Sequence, residues 1–457
     1  MQSPSSSSFS RLLGPAPVDV VIVGAGLAGL CAALAAVERH AGVVLIEKET
    51  NLYREPALGR ALYINAVDPE RQGELGIADS PELFFRQTQA AGLGRGDPAL
   101  QKVLCYKAYI AVKWLEGFGV RFENKVRQIP GGAFPRTCVV PDALAMRRAL
   151  LRSATAAGVT ILSGMTFEAL YREKTGRVRG VFVHDINRDR HLLTADAVVM
   201  ATGGFAGDAM LCARHDRRLS RLATLRPDRG EARGLRAMVE AGGYPVGMDF
   251  IELTLGTPDA FGQFVPQPFS PLDALLVNRA GERVANETDR EAVREAILSA
   301  EDATLMLLLS FSSVRGLPDA QRRRIEGLLE TGVARRLDAR KDEDCRQGGF
   351  FHSPPTLRAT LARYGRPGPD AFGKAWHDPL TAESLLALPV TLARAVSLGG
   401  IRIDESARVL GADATVIEGL FAAGEVTGGI HGAHAVPGNL ALESVVFGRV
   451  AGFSSVR

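Results

Sequence analysis

The stretch Val20-Val21-Ile22-Val23-Gly24-Ala25-Gly26-Leu27-Ala28-Gly29 constrains this chain more than any other. An apolar run enters a glycine turn, and a helix of small residues leaves it. A second apolar run, Val43-Val44-Leu45-Ile46, then ends in Glu47 and Lys48. Strand, turn, helix and strand follow one another with glycines at G-x-G-x-x-G spacing, and the acid stands about 20 residues downstream. Gly24 permits the tight turn, Gly26 lets the backbone approach a pyrophosphate, and Gly29 lets helix and strand pack closely. The helix N-terminus offers unpaired N–H groups and a positive dipole end to phosphates. Glu47 is suited to accept both ribose hydroxyls, which favours an unphosphorylated ribose. A plain glycine-rich turn does not require the flanking strands and the terminal acid together.

A second segment stands near the other end: Gly419-Leu420-Phe421-Ala422-Ala423-Gly424-Glu425-Val426-Thr427-Gly428-Gly429. Together the two segments point to FAD rather than a dissociable nicotinamide.

Composition narrows the function classes. The 457 residues are 46% hydrophobic, enough for two domains with cores of their own. A net charge of +3 with mixed signs gives no nucleic-acid signal. The five cysteines are scattered, with neither CxxC nor a disulfide framework, which suits a reducing, cytoplasmic setting. No apolar run reaches membrane-span length. Residues 1–17 are rich in Ser and Pro, have no apolar signal core, and read as a disordered tail.

The pattern predicts helices over 81–92, 98–118, 144–157 and 440–452, a meander of strands over 167–195, and a buried strand over 197–201 that enters the turn Thr202-Gly203-Gly204. From about 249 to 386 Pro and charge increase, and helices are predicted over 291–299 and 318–330. The expected fold class is α/β: a glutathione-reductase-like Rossmann FAD domain, 18–248 and 387–457, with an inserted α+β capping domain at 249–386.

The chain resembles the fumarate reductase/succinate dehydrogenase flavoprotein family, in its soluble flavocytochrome-type and ketosteroid-dehydrogenase-like branches. Besides the two glycine segments, the resemblance rests on Gly76 to Glu82, Ala201-Thr202-Gly203-Gly204-Phe205, Leu276 to Arg283, Asn286-Glu287 and Val445 to Gly452. It implies a mobile cap, an active site at the isoalloxazine between cap and flavin domain, a small-molecule substrate, and a separate electron donor or acceptor. It also implies FAD contacts at Gly24, Gly26, Gly29, Glu47, Lys48, Ala201, Thr202, Gly203, Gly424 and Glu425. Phe167 would offer its backbone to the adenine. Gly438 and Asn439 would present backbone N–H groups to the flavin pyrimidine edge, where a helix N-terminus stabilises reduced flavin.

The catalytic pattern of that family is broken here. Thr254 stands where one substrate histidine is expected, and Ala395 to Leu398 replace another. Ala435 takes the place of a clamp arginine, and Gln267 and Ser270 fall where a proton relay belongs. The acid-catalyst arginine should lie four residues after Glu287; Glu291 is there, and Arg290 is one residue short. No histidine stands between His40 and His184 to carry flavin covalently, so FAD is expected to bind non-covalently. The remaining candidates each have a plain alternative. His434 is a proton group or a hydrogen-bonded loop residue, and His431 is structural. Tyr63 donates a proton or fills the pocket. Arg290 and Glu287 form a proton-delivery pair, or merely start a helix capped by Thr288. Glu252 is a weaker candidate. No metal site is expected.

The residues then point to an FAD-dependent oxidoreductase. It would move a hydride between flavin N5 and a CH–CH or C=C bond of a small organic substrate less anionic than fumarate. A flavin oxidase or tailoring enzyme, and a non-catalytic FAD electron-transfer subunit, are the alternatives.

Overall fold

The structure, a computed structural model, describes residues 18–53, 61–129, 131–132, 134–225, 231–258, 264–266, 274–317, 319–364, 368–369, 372, 374–376 and 380–456. The expected N-terminal tail, Gln267 and Ser270 lie outside the described residues. The chain divides into two compact units. The first comprises Met1–Leu211, Asp228–Glu252 and Val396–Arg457; the second comprises Cys212–Pro227 and Leu253–Ala395.

The first unit is built from β1 (Val18–Val23), α1 (Leu27–Val37), β2 (Val43–Glu47), β3 (Leu62–Asn65), β4 (Thr137–Val140), α2 (Ala143–Ala156), β5 (Thr160–Ser163), β6 (Thr166–Arg172), β7 (Val178–His184), β8 (Arg190–Met200), α3 (Arg233–Glu240), β9 (Arg408–Leu410), β10 (Val416–Ala422) and α4 (Asn439–Ser454). Its main sheet runs β9-β10-β8-β1-β2-β5. The five strands from β10 to β5 are parallel, with Val20 beside Val43 on one side and Ala197 on the other. β6 and β7 form an antiparallel meander onto β8. Strands buried on both faces read as continuous apolar runs, which is why β1 and the end of β8 are so legible.

Close helix packing covers the sheet. Nine consecutive residues of α1, Ala28 to Ala36, are buried. α4 lies against α1 through small residues. A Cβ on Gly448 would come within 2.5 Å of the Ala28 carbonyl oxygen, and one on Gly452 would strike the Ala32 carbonyl.

The second unit is α+β. Its seven-stranded sheet runs Phe264–Pro266, Ile251–Pro258, Leu385–Ser397, Thr304–Ser310, Ala274–Val277, and both Arg335–Leu337 and Ala223–Thr224 also pair with Leu385–Ser397. Leu275, Val277, Met306, Leu308, Phe351, Leu357 and Leu385 belong to its core.

These boundaries correct the expected insertion at 249–386. Leu385–Ser397 is the central strand of the second unit's sheet, and Cys212–Pro227 also belongs to that unit. The composition shift marks polar loops, whereas an apolar central strand looks alike in either unit.

Candidate flavin site

Parallel pairing brings three glycine turns to one edge of the sheet. β10, β8 and β1 are neighbours, so Ala423-Gly424-Glu425, Ala201 to Gly204, and Gly24 to Gly26 leave the sheet side by side. Backbone hydrogen bonds stitch these exits together: Gly24 N–H to Ile46 O at 2.8 Å, Ala201 N–H to Val23 O at 2.8 Å, and Ala423 N–H to Met200 O at 3.0 Å. In open α/β sheets the crevice at the carboxyl ends of the strands is where ligands bind.

The three fingerprint glycines do different work. Gly24 has φ +104°, and a Cβ there would strike the Ala201 carbonyl. A Cβ on Gly29 would strike the Gly24 carbonyl. Gly26 is the N-cap of α1, in extended backbone, and a Cβ built on it meets nothing within 4 Å. The first two hold the turn against the sheet, whereas Gly26 faces open space over a helix N-terminus.

Glu47 ends β2 half-buried. Its Oε2 accepts the Ala25 N–H at 2.8 Å, and its Oε1 accepts the Glu49 N–H at 3.1 Å, so the carboxylate is held over the glycine turn. Lys48 beside it is exposed. Phe167 is buried on β6, and its carbonyl accepts from Arg233 Nη1 at 3.3 Å. The Thr202 Oγ1 is buried with no hydrogen-bond partner among the described residues, next to Gly234 of α3. A buried hydroxyl left unpaired costs about 1–3 kcal/mol, so this one awaits a polar group.

Glu425 is tied to Ser397. The Ser397 N–H reaches Glu425 Oε1 at 3.2 Å, and Ser397 Oγ accepts the Phe205 N–H at 3.0 Å. Ser397 links the exits of β8 and β10. It was not singled out from the sequence as a holding residue, because a lone serine carries no signal.

The α4 N-terminus is anchored differently from expectation. Gly438 is its N-cap at φ +93°, and a Cβ there would press on the Asn65 side chain at 2.7 Å. The Asn439 N–H donates to the Val436 carbonyl at 2.9 Å. Its buried side chain accepts from Asn65 Nδ2 at 2.8 Å and donates to Thr88 Oγ1 at 3.3 Å. Its amide is therefore already engaged, and Asn439 fixes α4 to β3. Nearby, Glu443 Oε2 lies 2.8 Å from His431 Nε2, and its Oε1 accepts from Thr427 Oγ1 at 3.0 Å; all three residues are buried.

In the loop before α4, His434 Nδ1 stands 3.5 Å from Glu252 Oε1, and the Ala435 N–H donates to the same oxygen at 3.2 Å. Both side chains are partly buried. A carboxylate therefore attends the loop position where a clamp cation was sought.

The site has the features a dinucleotide needs: open space at Gly26, an orphaned hydroxyl at Thr202, and a held acid at Glu47. The family model described as "FAD binding domain" matches residues 19–440. A fumarate reductase (cytochrome) of Shewanella frigidimarina is 32% identical over 454 residues, covering 95% of this chain and 76% of that protein. The chain belongs to the fumarate reductase/succinate dehydrogenase flavoprotein family. It is an FAD-dependent oxidoreductase, and the family acts on CH–CH bonds. An NADH:fumarate oxidoreductase of Klebsiella pneumoniae is 26% identical, covering 97% of this chain and 48% of that protein. Among solved structures, the open conformation of a flavocytochrome c3 fumarate reductase shares the fold with TM-score 0.81 at 23% identity, over 99% of this chain and 81% of that one. A 3-ketosteroid-Δ4-(5α)-dehydrogenase of Rhodococcus jostii RHA1 does so with TM-score 0.75 at 21% identity, over the whole of both chains.

The other family-derived candidates are placed as follows. Tyr63 is on β3 opposite Val139 and is 42% exposed. Glu287 does not pair with Arg290. It is buried, accepting from Arg283 at 3.0 and 2.7 Å, from Lys374 at 3.1 Å and from the Leu276 N–H at 2.8 Å. A carboxylate with every lone pair engaged is a structural ion cluster, not a proton carrier. Arg290 is the exposed first residue of the helix Arg290–Ser299, and Asp289, not Thr288, caps it. Among the described residues no group of three or more His, Cys, Asp or Glu is placed to hold a metal, and no helix is long and apolar enough to cross a membrane.

Proposed function

We propose that this family member moves a hydride across a CH–CH or C=C bond beside a carbonyl, in a small or medium organic substrate that carries less negative charge than fumarate. FAD, when bound, supplies the hydride acceptor or donor at its N5. In this reading FAD is held without a covalent bond. Gly24, Gly26 and Gly29 carry its pyrophosphate with Ala201, Thr202 and Gly203, and Glu47 its adenosine ribose, beside Lys48. The backbone of Phe167 meets the adenine, Gly424 and Glu425 hold the ribityl chain, and Gly438 borders the pyrimidine. A reducing cytoplasm suits the five buried thiols.

The observation that carries the substrate reading is the 431–439 loop. It has no arginine or lysine, and the Ala435 N–H and His434 both lean on the Glu252 carboxylate. A buried dicarboxylate needs paired, charge-assisted hydrogen bonds, and each carboxylate left without a cation costs several kcal/mol. A resident carboxylate adds repulsion. His434 is the proton group of this loop, with Glu252 orienting its ring through Nδ1. Tyr63 closes the pocket by filling it.

Anaerobic stopped-flow mixing of photoreduced protein with fumarate, at acidic and neutral pH, tests the reading against a neutral 2-enone. The enone should reoxidise the flavin and fumarate should not. Fast reoxidation by fumarate that disappears in Arg290→Ala would return the chain to the fumarate reductases.

A further inference from the structure

Among the described residues Arg394 is a buried charge without a counter-charge. It lies on the strand Leu385–Ser397, in parallel register beside Thr224, and is 3% exposed. Its Nη2 donates to the Leu222 carbonyl at 3.2 Å. Its Nε and Nη1 are buried with no hydrogen-bond partner among the described residues. The other buried arginines are served differently: Arg136 pairs with Asp79 at 2.9 Å and Arg283 with Glu287 at 2.7 Å.

An unpaired buried charge costs several kcal/mol. Most buried groups escape that cost by changing protonation, but a guanidinium does not lose its proton in a protein. One carbonyl offers a dipole and no charge. The donors left over on Nε and Nη1 lie on different edges of this planar, weakly hydrated cation, and a charge-assisted hydrogen bond from either one to a carboxylate oxygen would supply the missing counter-charge.

We propose that Arg394 is the cation of a small-carboxylate site within the second unit, beside the Leu222–Thr224 segment. One cation suits one carboxylate, so the ligand is a monocarboxylate rather than a dicarboxylate. The ligand is a free organic acid, bound apart from the substrate of the reading given above.

The test uses the FAD-loaded protein, with sodium propionate, sodium crotonate and neutral propionamide as probes. Both carboxylates should raise the melting temperature saturably, and propionamide should not. In Arg394→Met the response should vanish or need roughly 10- to 100-fold more carboxylate, the worth of a charge-assisted hydrogen bond. In carboxylate-free buffer Arg394→Met should melt no lower than the parent, because it relieves an unpaired charge. A parent that ignores carboxylates, a variant that responds equally, or a variant that melts lower in carboxylate-free buffer would each overturn the proposal; the last would mean that a protein group already serves Arg394. The melting measurement needs no turnover, so failure of this site and failure of the substrate reading are told apart.

Discussion

At the scale of single residues, glycines of one fingerprint predict opposite phenotypes. A side chain at Gly26 enters empty space at an ordinary backbone conformation, so Gly26→Val should fold and lack FAD, because the added methyls occupy the pyrophosphate's place at the helix N-terminus. A colourless, cooperatively melting protein is the expected product. Retention of stoichiometric FAD would show that the phosphates lie elsewhere. Gly29→Val meets the Gly24 backbone and should not fold. His434→Ala should keep its flavin and lose roughly 10²-fold or more in turnover of the neutral substrate, the usual worth of a positioned acid or base. An unchanged rate would leave His434 a loop residue.

At the scale of elements, the α1–α4 contact predicts a steep stability loss. Gly448 and Gly452 sit over the Ala28 and Ala32 carbonyls, so larger side chains must push two helices apart. Overpacking of this kind costs about 1–3 kcal/mol or more. Gly448→Val should lower the melting temperature even in the FAD-free protein. The helix Arg290–Ser299 offers a gentler test. Asp289 accepts the Glu291 and Ala292 N–H groups, and Asp289→Ala should cost ~1 kcal/mol by denaturant titration. Thr288→Ala should cost less. The sequence pointed to Thr288 because threonine and aspartate are both good caps one residue apart; only the local backbone chooses between them.

At the scale of the whole molecule, heat or acid precipitation should leave free FAD in the supernatant, since no histidine stands between His40 and His184 to hold it covalently. Flavin remaining with the pellet would contradict this. Buried thiols make stability fall at alkaline pH. Desolvation pushes both the Cys105 and Cys138 thiols up to about 12. Their folded values lie above the unfolded value of about 8.5, so the unfolded chain loses these protons first as pH rises. Stability from these groups is full below about pH 8.5 and falls progressively towards pH 12, by a few kcal/mol per thiol as an order of magnitude. Denaturant titrations from pH 8 to 10 should show the decline, and it should be smaller in Cys105→Ser/Cys138→Ser relative to each protein's own value at pH 8. At pH 8 the native protein should resist a thiol reagent that labels the unfolded chain.

Much of the molecule was legible because its determinants are local. The glycine spacing, the acid after β2 and the apolar runs of β1 and β8 each act within a few residues of chain, so the sequence alone determined the dinucleotide-binding unit and its strand-turn-helix order. Pairing across long stretches of chain was not legible. Only the tertiary structure decided that Glu287 is consumed by Arg283 and Lys374, that Asn439 anchors to Asn65, that Glu252 stands at His434, and that Arg394 is buried with its Nε and Nη1 unpaired among the described residues. Whether a charged side chain is a catalyst, a strut or an unsatisfied donor depends on what lies within about 3 Å of it, and distant segments supply those neighbours only once the chain has folded.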